Sequence, residues 1–99
     1  PVAVEAALQA SLNVPAVALM QALGPERFAA RLAHAGIELR LPRAARPNLG
    51  MILGGTEARL EDLVVGFAAL QRGGLAGPIR LRPEDPLAAR RLLPEGAAW

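Results

Sequence analysis

Between Leu60 and Arg72 the apolar residues Leu60, Leu63, Val64, Phe67 and Leu70 recur at steps of three and four. That spacing puts them on one side of a helix, because 3.6 residues complete a turn. Glu61 and Asp62 suit its first turn, where acidic groups complement the helix dipole. Gly73-Gly74 terminates it. The chain therefore contains one well-marked helix, and its other segments must be built around helices and tight turns. Only Phe28, Phe67 and Trp99 are aromatic, so Ala, Leu and Val have to fill the interior of a chain that is 53% apolar. Small aliphatic side chains favour closely packed helices over a sheet sandwich.

The remaining elements are punctuated by Gly and Pro. Val2 to Ala10 reads as an Ala-rich helix with Val4 and Leu8 on one face, ending at Ser11-Leu12-Asn13. Pro15 suits the first turn of a second helix, capped by Asn13 or Val14 and ended by Gly24. Pro25-Glu26 opens a third, with Phe28, Leu32 and Ala35 as its buried stripe and Gly36 as its end. Ile37 to Leu41 alternates and is expected to be extended. Pro42 to Asn48 reads as a surface loop. Leu49 to Gly55 is too short and Gly-rich for a helix of its own, and Ile79 to Arg82 is a candidate strand. The architecture expected is mainly α with short extended segments.

At 99 residues the chain is at most one small domain. A net charge of +2, with acidic residues interleaved among arginines, gives no basic patch and argues against nucleic-acid binding. Cysteine is absent and there is one histidine, so neither a disulfide nor a Cys- or His-based metal centre is expected. No cofactor motif is present. The longest apolar run, Leu63 to Leu70, is far short of the ~20 residues of a membrane span. An opening on Pro1 rather than Met, and a stop at Trp99 just inside a helix begun at Pro94-Glu95, are expected of a piece cut from a longer chain.

Few residues offer chemistry. His34, in the last turn of the third helix, is either a general base or a cation favourable to the helix dipole; no nucleophile or carboxylate is suggested beside it. Glu61 and Asp62 are neighbours, project about 100° apart on a helix, and so do not form an acid pair. Gly54-Gly55-Thr56 lacks the Gly-Lys-Ser/Thr of a phosphate loop. Arg40, Arg43 and Arg46 read as a solvated loop face.

Ser11-Leu12-Asn13 is different. In serine acyl-transferases a Ser-x-Asn turn accompanies Ser-x-x-Lys and Lys-Thr-Gly. Its serine hydroxyl both donates and accepts, so it can relay a proton between a lysine amine and a leaving group. Its asparagine presents a carbonyl and an NH2 together, and can hold a peptide-like acyl chain and a lysine at once. Ser and Asn are also common helix-cap residues, and the tripeptide alone leaves both readings open. All basic residues other than His34 are arginine, so neither lysine-containing motif can lie in this chain.

The flanking segments carry a resemblance. The order Ser-Leu-Asn-Val-Pro-Ala-Val, Gly-Pro-Glu-Arg-Phe-Ala-Ala-Arg-Leu and Ala-Gly-Ile resembles the transpeptidase domain of class A penicillin-binding proteins. It continues through Pro47-Asn48-Leu49-Gly50-Met51-Ile52-Leu53-Gly54-Gly55-Thr56 and Arg59 to Leu70. Arg-Leu-Pro followed by Pro-Asn-Leu looks most like the bifunctional glycosyltransferase/transpeptidase of 1C type, and the tail from Arg90 to Trp99 is similar as well. The resemblance covers essentially all of residues 1–99 in order.

It implies a partial transpeptidase domain, cut at both ends, from the helical subdomain of the penicillin-binding and serine β-lactamase-like fold. It implies a parent that cross-links peptidoglycan stem peptides at the periplasmic face of the bacterial inner membrane, is acylated by β-lactams, and uses neither cofactor nor metal. Any membrane anchor would lie outside this chain. Ser11 would be the proton-relay serine and Asn13 the substrate-contacting amide, with nucleophile and Lys-Thr-Gly elsewhere. The alternative from the residues alone is a small helical DNA-binding or regulatory interaction domain, with Gly24-Pro25 as the turn of a helix–turn–helix.

Overall fold

The computed structural model describes residues 2–86 and 88–98. Four α-helices are present among them: α1 (Val4–Gln9), α2 (Asn13–Leu23), α3 (Pro25–His34) and α4 (Leu60–Gln71). Short extended pieces follow α3 and flank α4: β1 (Leu39–Arg40), β2 (Glu57–Ala58), β3 (Leu75–Ala76) and β4 (Arg90–Arg91). Single 3-10 turns occupy Pro42–Ala44, Leu49–Leu53 and Glu95–Ala97. The mainly α architecture expected from the sequence is present. The chain divides into two units, each with its own interior. One comprises the chain up to Ala29 with Arg40–Glu57, the other Ala30–Leu39 with the chain from Ala58 onward.

In the first unit α2 packs against α1 and against the Leu49–Leu53 turn, with Ala7, Met20 and Met51 buried. The sequence reads Leu49 to Gly55 as too short and Gly-rich for a helix of its own, and the turn here is a five-residue 3-10 one. It forms because Asn48 caps it: Asn48 Oδ1 accepts from the Gly50 amide at 2.9 Å, and Asn48 Nδ2 donates to the Arg46 carbonyl. Gly54, at φ 92°, then closes it, and the Gly55 amide returns to the Gly50 carbonyl at 2.9 Å. Thr56 Oγ1 donates to the Arg40 carbonyl at 2.9 Å. Gly54-Gly55-Thr56 is thus held as a turn by backbone and side-chain hydrogen bonds.

The second unit is built on the small-residue side of α4. Val65 and Ala69 pack with Ala35, Ile37, Ala76 and Leu92, and Leu32 and Leu93 border the cluster. Ala69 has no exposed surface, and Ile37 Cδ1 lies 3.5 Å from where a Gly66 side chain would begin. Leu75 and Ala76 pair antiparallel with Arg91 and Arg90. The expected strand at Ile79 to Arg82 is absent; Ile79 and Arg80 are irregular, Leu81 and Arg82 form a bend, and the strand lies earlier, at Leu75–Ala76. The helix expected from Pro94-Glu95 is a single 3-10 turn. Trp99 lies outside the described residues.

Three helices end alike. At α3 the Gly36 amide donates to the Ala33 carbonyl (3.0 Å) and Ile37 to Leu32 (2.9 Å). At α4 Gly73 donates to Leu70 (3.3 Å) and Gly74 to Ala69 (2.7 Å). At α1 Ser11 donates to Leu8 (3.0 Å) and Leu12 to Ala7 (3.0 Å). Each is a paired six-to-one and five-to-two closure whose first residue past the cap is left-handed. Gly36 and Gly73 fill that position at φ 86° and 65°, but at α1 it is Ser11, at φ 54°.

The two left-handed glycines of this unit that differ most in surroundings give a test. A side chain on Gly74 (φ 94°) would collide with the Leu93 carbonyl, whereas nothing lies within 4 Å of one on Gly36 (φ 86°). Gly36→Ala is expected to lower stability by about 1 kcal/mol through backbone strain alone. Gly74→Ala should lower it by distinctly more. Urea midpoints of the two variants check the order.

Candidate functional site

Ser11 and Asn13 are brought to the turn between α1 and α2. α1 closes one residue before Ser11, and α2 begins at Asn13 with Leu12 as its N-cap residue. Leu12 has no side-chain acceptor, and α2 has no side-chain cap hydrogen bond. The expected capping by Asn13 or Val14 does not occur. The six-to-one closure uses Leu12 as its second residue, which moves the start of α2 back and places Asn13 inside its first turn. Pro15 lies in the first turn as expected, where its missing amide leaves one fewer donor unsatisfied.

Both side chains are therefore uncommitted. Ser11 and Asn13 are exposed. Among the described residues no side-chain hydrogen bond engages the Ser11 hydroxyl or the Asn13 amide, although Gln9 and Thr56 in the same unit each make one and Asn48 makes two. A left-handed conformation at a non-Gly residue costs about 1 kcal/mol. It also turns the side chain away from the path of the preceding helix, so the hydroxyl stands free at the turn. Chemically, the pair offers one donor-acceptor hydroxyl and one amide on a short, fixed backbone, with no base or nucleophile among them.

Sequence reasoning missed a polar cluster in the second unit. Asp62 is 4% exposed, not a solvated first-turn carboxylate. Its two oxygens accept from Arg59 Nε at 3.1 Å and Nη2 at 3.0 Å, and Oδ2 lies 3.4 Å from the Glu38 amide. Arg59 Nη1 also meets Glu61 at 2.7 Å. The hydrogen bond to Asp62, then the charges of Asp62 and Glu61, raise the Arg59 pKa above its ordinary value. A raised pKa adds stability that is present below the unfolded value and lost only above it. Arginine is charged throughout the working range, so this adds no pH dependence near neutrality. The only hint in the sequence was an arginine three residues before an aspartate.

An open groove of about 410 Å3 runs past this cluster, lined among others by Arg59, Asp62, Ile79 and Arg90. Its arginines are engaged: Arg59 as above, and Arg90 Nη1 with the His34 carbonyl at 3.2 Å. His34 is exposed in the last turn of α3, the placement of a dipole-complementing cation. Arg40, Arg43 and Arg46 are exposed, as expected of a loop face. No group of three potential metal ligands occurs among the described residues, and none of their helices is long and apolar enough to cross a membrane.

Comparison with known proteins shows the class: the chain is a segment of a penicillin-binding protein. Across all 99 residues the chain is 50% identical to penicillin-binding protein 1C of Escherichia coli (strain K12). The match takes in the whole of this chain and 13% of that relative's length, which makes the chain a segment of the 1C type. No protein-family model and no solved structure matches it.

Two substitutions check this account. Ser11→Gly relieves the left-handed strain and should leave stability unchanged or raise it by up to about 1 kcal/mol, since the extra freedom of glycine in the unfolded chain offsets part of the gain. Asp62→Ala removes the hydrogen bonds from Arg59 and the Glu38 amide, while Arg59 stays half exposed and paired with Glu61, and should lower stability by about 0.5–1.5 kcal/mol. Urea unfolding midpoints read both; a marked loss in Ser11→Gly would contradict the strain assigned to that turn.

Proposed function

We propose that the chain is part of the D,D-transpeptidase domain of a peptidoglycan-synthesising enzyme, and that Ser11 and Asn13 supply its Ser-x-Asn motif. The observation that carries this reading is the state of Ser11. It occupies a left-handed position filled by glycine at the two comparable helix ends, and its hydroxyl is committed to no structural bond. The competing explanation, a helix cap, requires the Asn13 side chain to accept from a backbone amide of α2, a bond that is not made. Identity to penicillin-binding protein 1C over the full chain supports the same reading.

In this role the nucleophilic serine and its lysine, and the Lys-Thr-Gly segment, belong to other parts of the full-length protein, since this chain has no lysine. The nucleophile is acylated by a D-Ala-D-Ala stem peptide or by a β-lactam, and the acyl group then passes to an amine. Ser11 relays a proton between the lysine amine and the departing group, which a hydroxyl does by donating one hydrogen bond while accepting another. Asn13 holds the acyl chain of the substrate through its carbonyl and NH2. The reaction needs no metal or cofactor at these residues. Its setting is the periplasmic face of the bacterial inner membrane, with any anchor outside this chain and no nucleic-acid partner.

The test is acylation of the full-length protein by a fluorescent penicillin. Ser11→Gly preserves the turn and removes only the hydroxyl, so it should slow acylation by about 10²–10⁴-fold without unfolding the protein. Asn13→Ala should slow it as well, since no cap is lost with it. Wild-type rates in both variants would overturn the assignment.

A further inference from the structure

The apolar residues of α4 lie on two opposite sides. One side, Val65, Gly66 and Ala69 with the ion-paired Asp62, is closed by the second unit itself. The other side holds Leu60, Leu63, Val64, Phe67 and Leu70, the stripe that marks the helix in the sequence. All five are exposed, Leu60 at 78% and Phe67 at 73%. Helices apolar on nearly all sides lie inside proteins, and contiguous apolar surface of this kind is rare on a monomer. The charged side chains of α4, Glu61 and Asp62, both bind Arg59, so none interrupts the stripe.

We infer that this stripe is an internal packing face, covered in the intact protein by another part of the same polypeptide. The chain spans only 13% of the length of the relative it matches across all its residues, so the full-length protein has ample chain to supply the cover. No charge interrupts the five apolar side chains, and the polar groups beside them, Gln71 at the end of α4 and Arg72, Arg80 and Arg82 in the groove that Val64 lines, lie at the border of the stripe. Five large apolar side chains without a charge suit a permanent, dry contact. The cover is therefore an uncharged apolar surface, made when the domain folds. This rests on the chain being a segment of a longer protein and not on any role of Ser11 or Asn13.

Hydroxyl-radical footprinting of the full-length protein reads side-chain exposure without a substitution that might prevent folding. At a concentration where sedimentation shows a monomer, Phe67 and Leu60 should label about tenfold or more weakly than in the same protein unfolded in urea. Labelling of Phe67 in the native monomer close to its unfolded level would overturn the inference. Protection that appears only where the protein dimerises would overturn it too, by assigning the stripe to a second copy. Acylation of Ser11 and Asn13 variants is a separate readout, so failure of one reading leaves the other standing.

Discussion

The absence of bulk on one side of α4 lets the second unit close. Gly66 and Ala69 leave room for Ile37 and Ala76 to approach the helix, and Ala69 is fully covered as a result. At the end of the helix, Gly74 goes further: the Leu93 carbonyl sits where a side chain would be. The Gly74 carbonyl in turn accepts from the amides of Leu92 (2.8 Å) and Leu93 (3.2 Å), which fixes β4 beside β3. Arg59 and Asp62 hold the other end of α4 against the Glu38 segment. An interior assembled this way contains Ala, Val, Ile and Leu at close approach, and no large side chain among the described residues is completely buried. Dispersion at short range substitutes for bulk.

That choice explains what the sequence could and could not reveal. The periodicity of Leu60, Leu63, Val64, Phe67 and Leu70 correctly announces a helix and its end at Gly73-Gly74. It reports that a face is apolar, not which neighbour covers it, and the neighbour within this chain took the opposite face. Small residues carry almost no hydrophobic signal, so the working core of α4 is nearly silent in a pattern search. The same holds at α1, where Val4 and Leu8 are exposed and Ala7 is buried. The strand sought at Ile79 to Arg82 alternates properly, but Pro78 and Pro83 bracket it, and Gly74 sets the pairing register nearer the helix. The Arg59–Asp62–Glu38 cluster joins residues 24 apart in sequence, which local spacing does not encode.

The tripeptide was legible in type but not in geometry. Ser-x-Asn was expected at a turn, and it lies at one. What could not be read was that Ser11 would take the left-handed closing position of α1, and that this would shift the start of α2 and release Asn13 from capping. Glycine at residue 11 would serve the fold at least as well, since it fills the matching place after α3 and α4. A serine held there at a cost of about 1 kcal/mol, with its hydroxyl unused, is the pattern of a residue retained for something other than stability.

Two kinds of incompleteness meet in this chain, and they are physically independent. One is chemical: under the proposed roles of Ser11 and Asn13, a hydroxyl and an amide without a nucleophile, a base or any lysine. The other concerns packing: a helix finished on its small-residue side and bare along its large apolar side. Neither implies the other, because an enzyme fragment could have a sealed surface and an inert domain could expose a stripe. A longer polypeptide, such as the relative of which this chain spans 13%, would satisfy both at once, with reactive groups at the α1–α2 turn and apolar cover along α4. The two demands fall on different units of the chain, the turn on the first and the stripe on the second. On the two proposals together, the surrounding protein contacts both units of the segment.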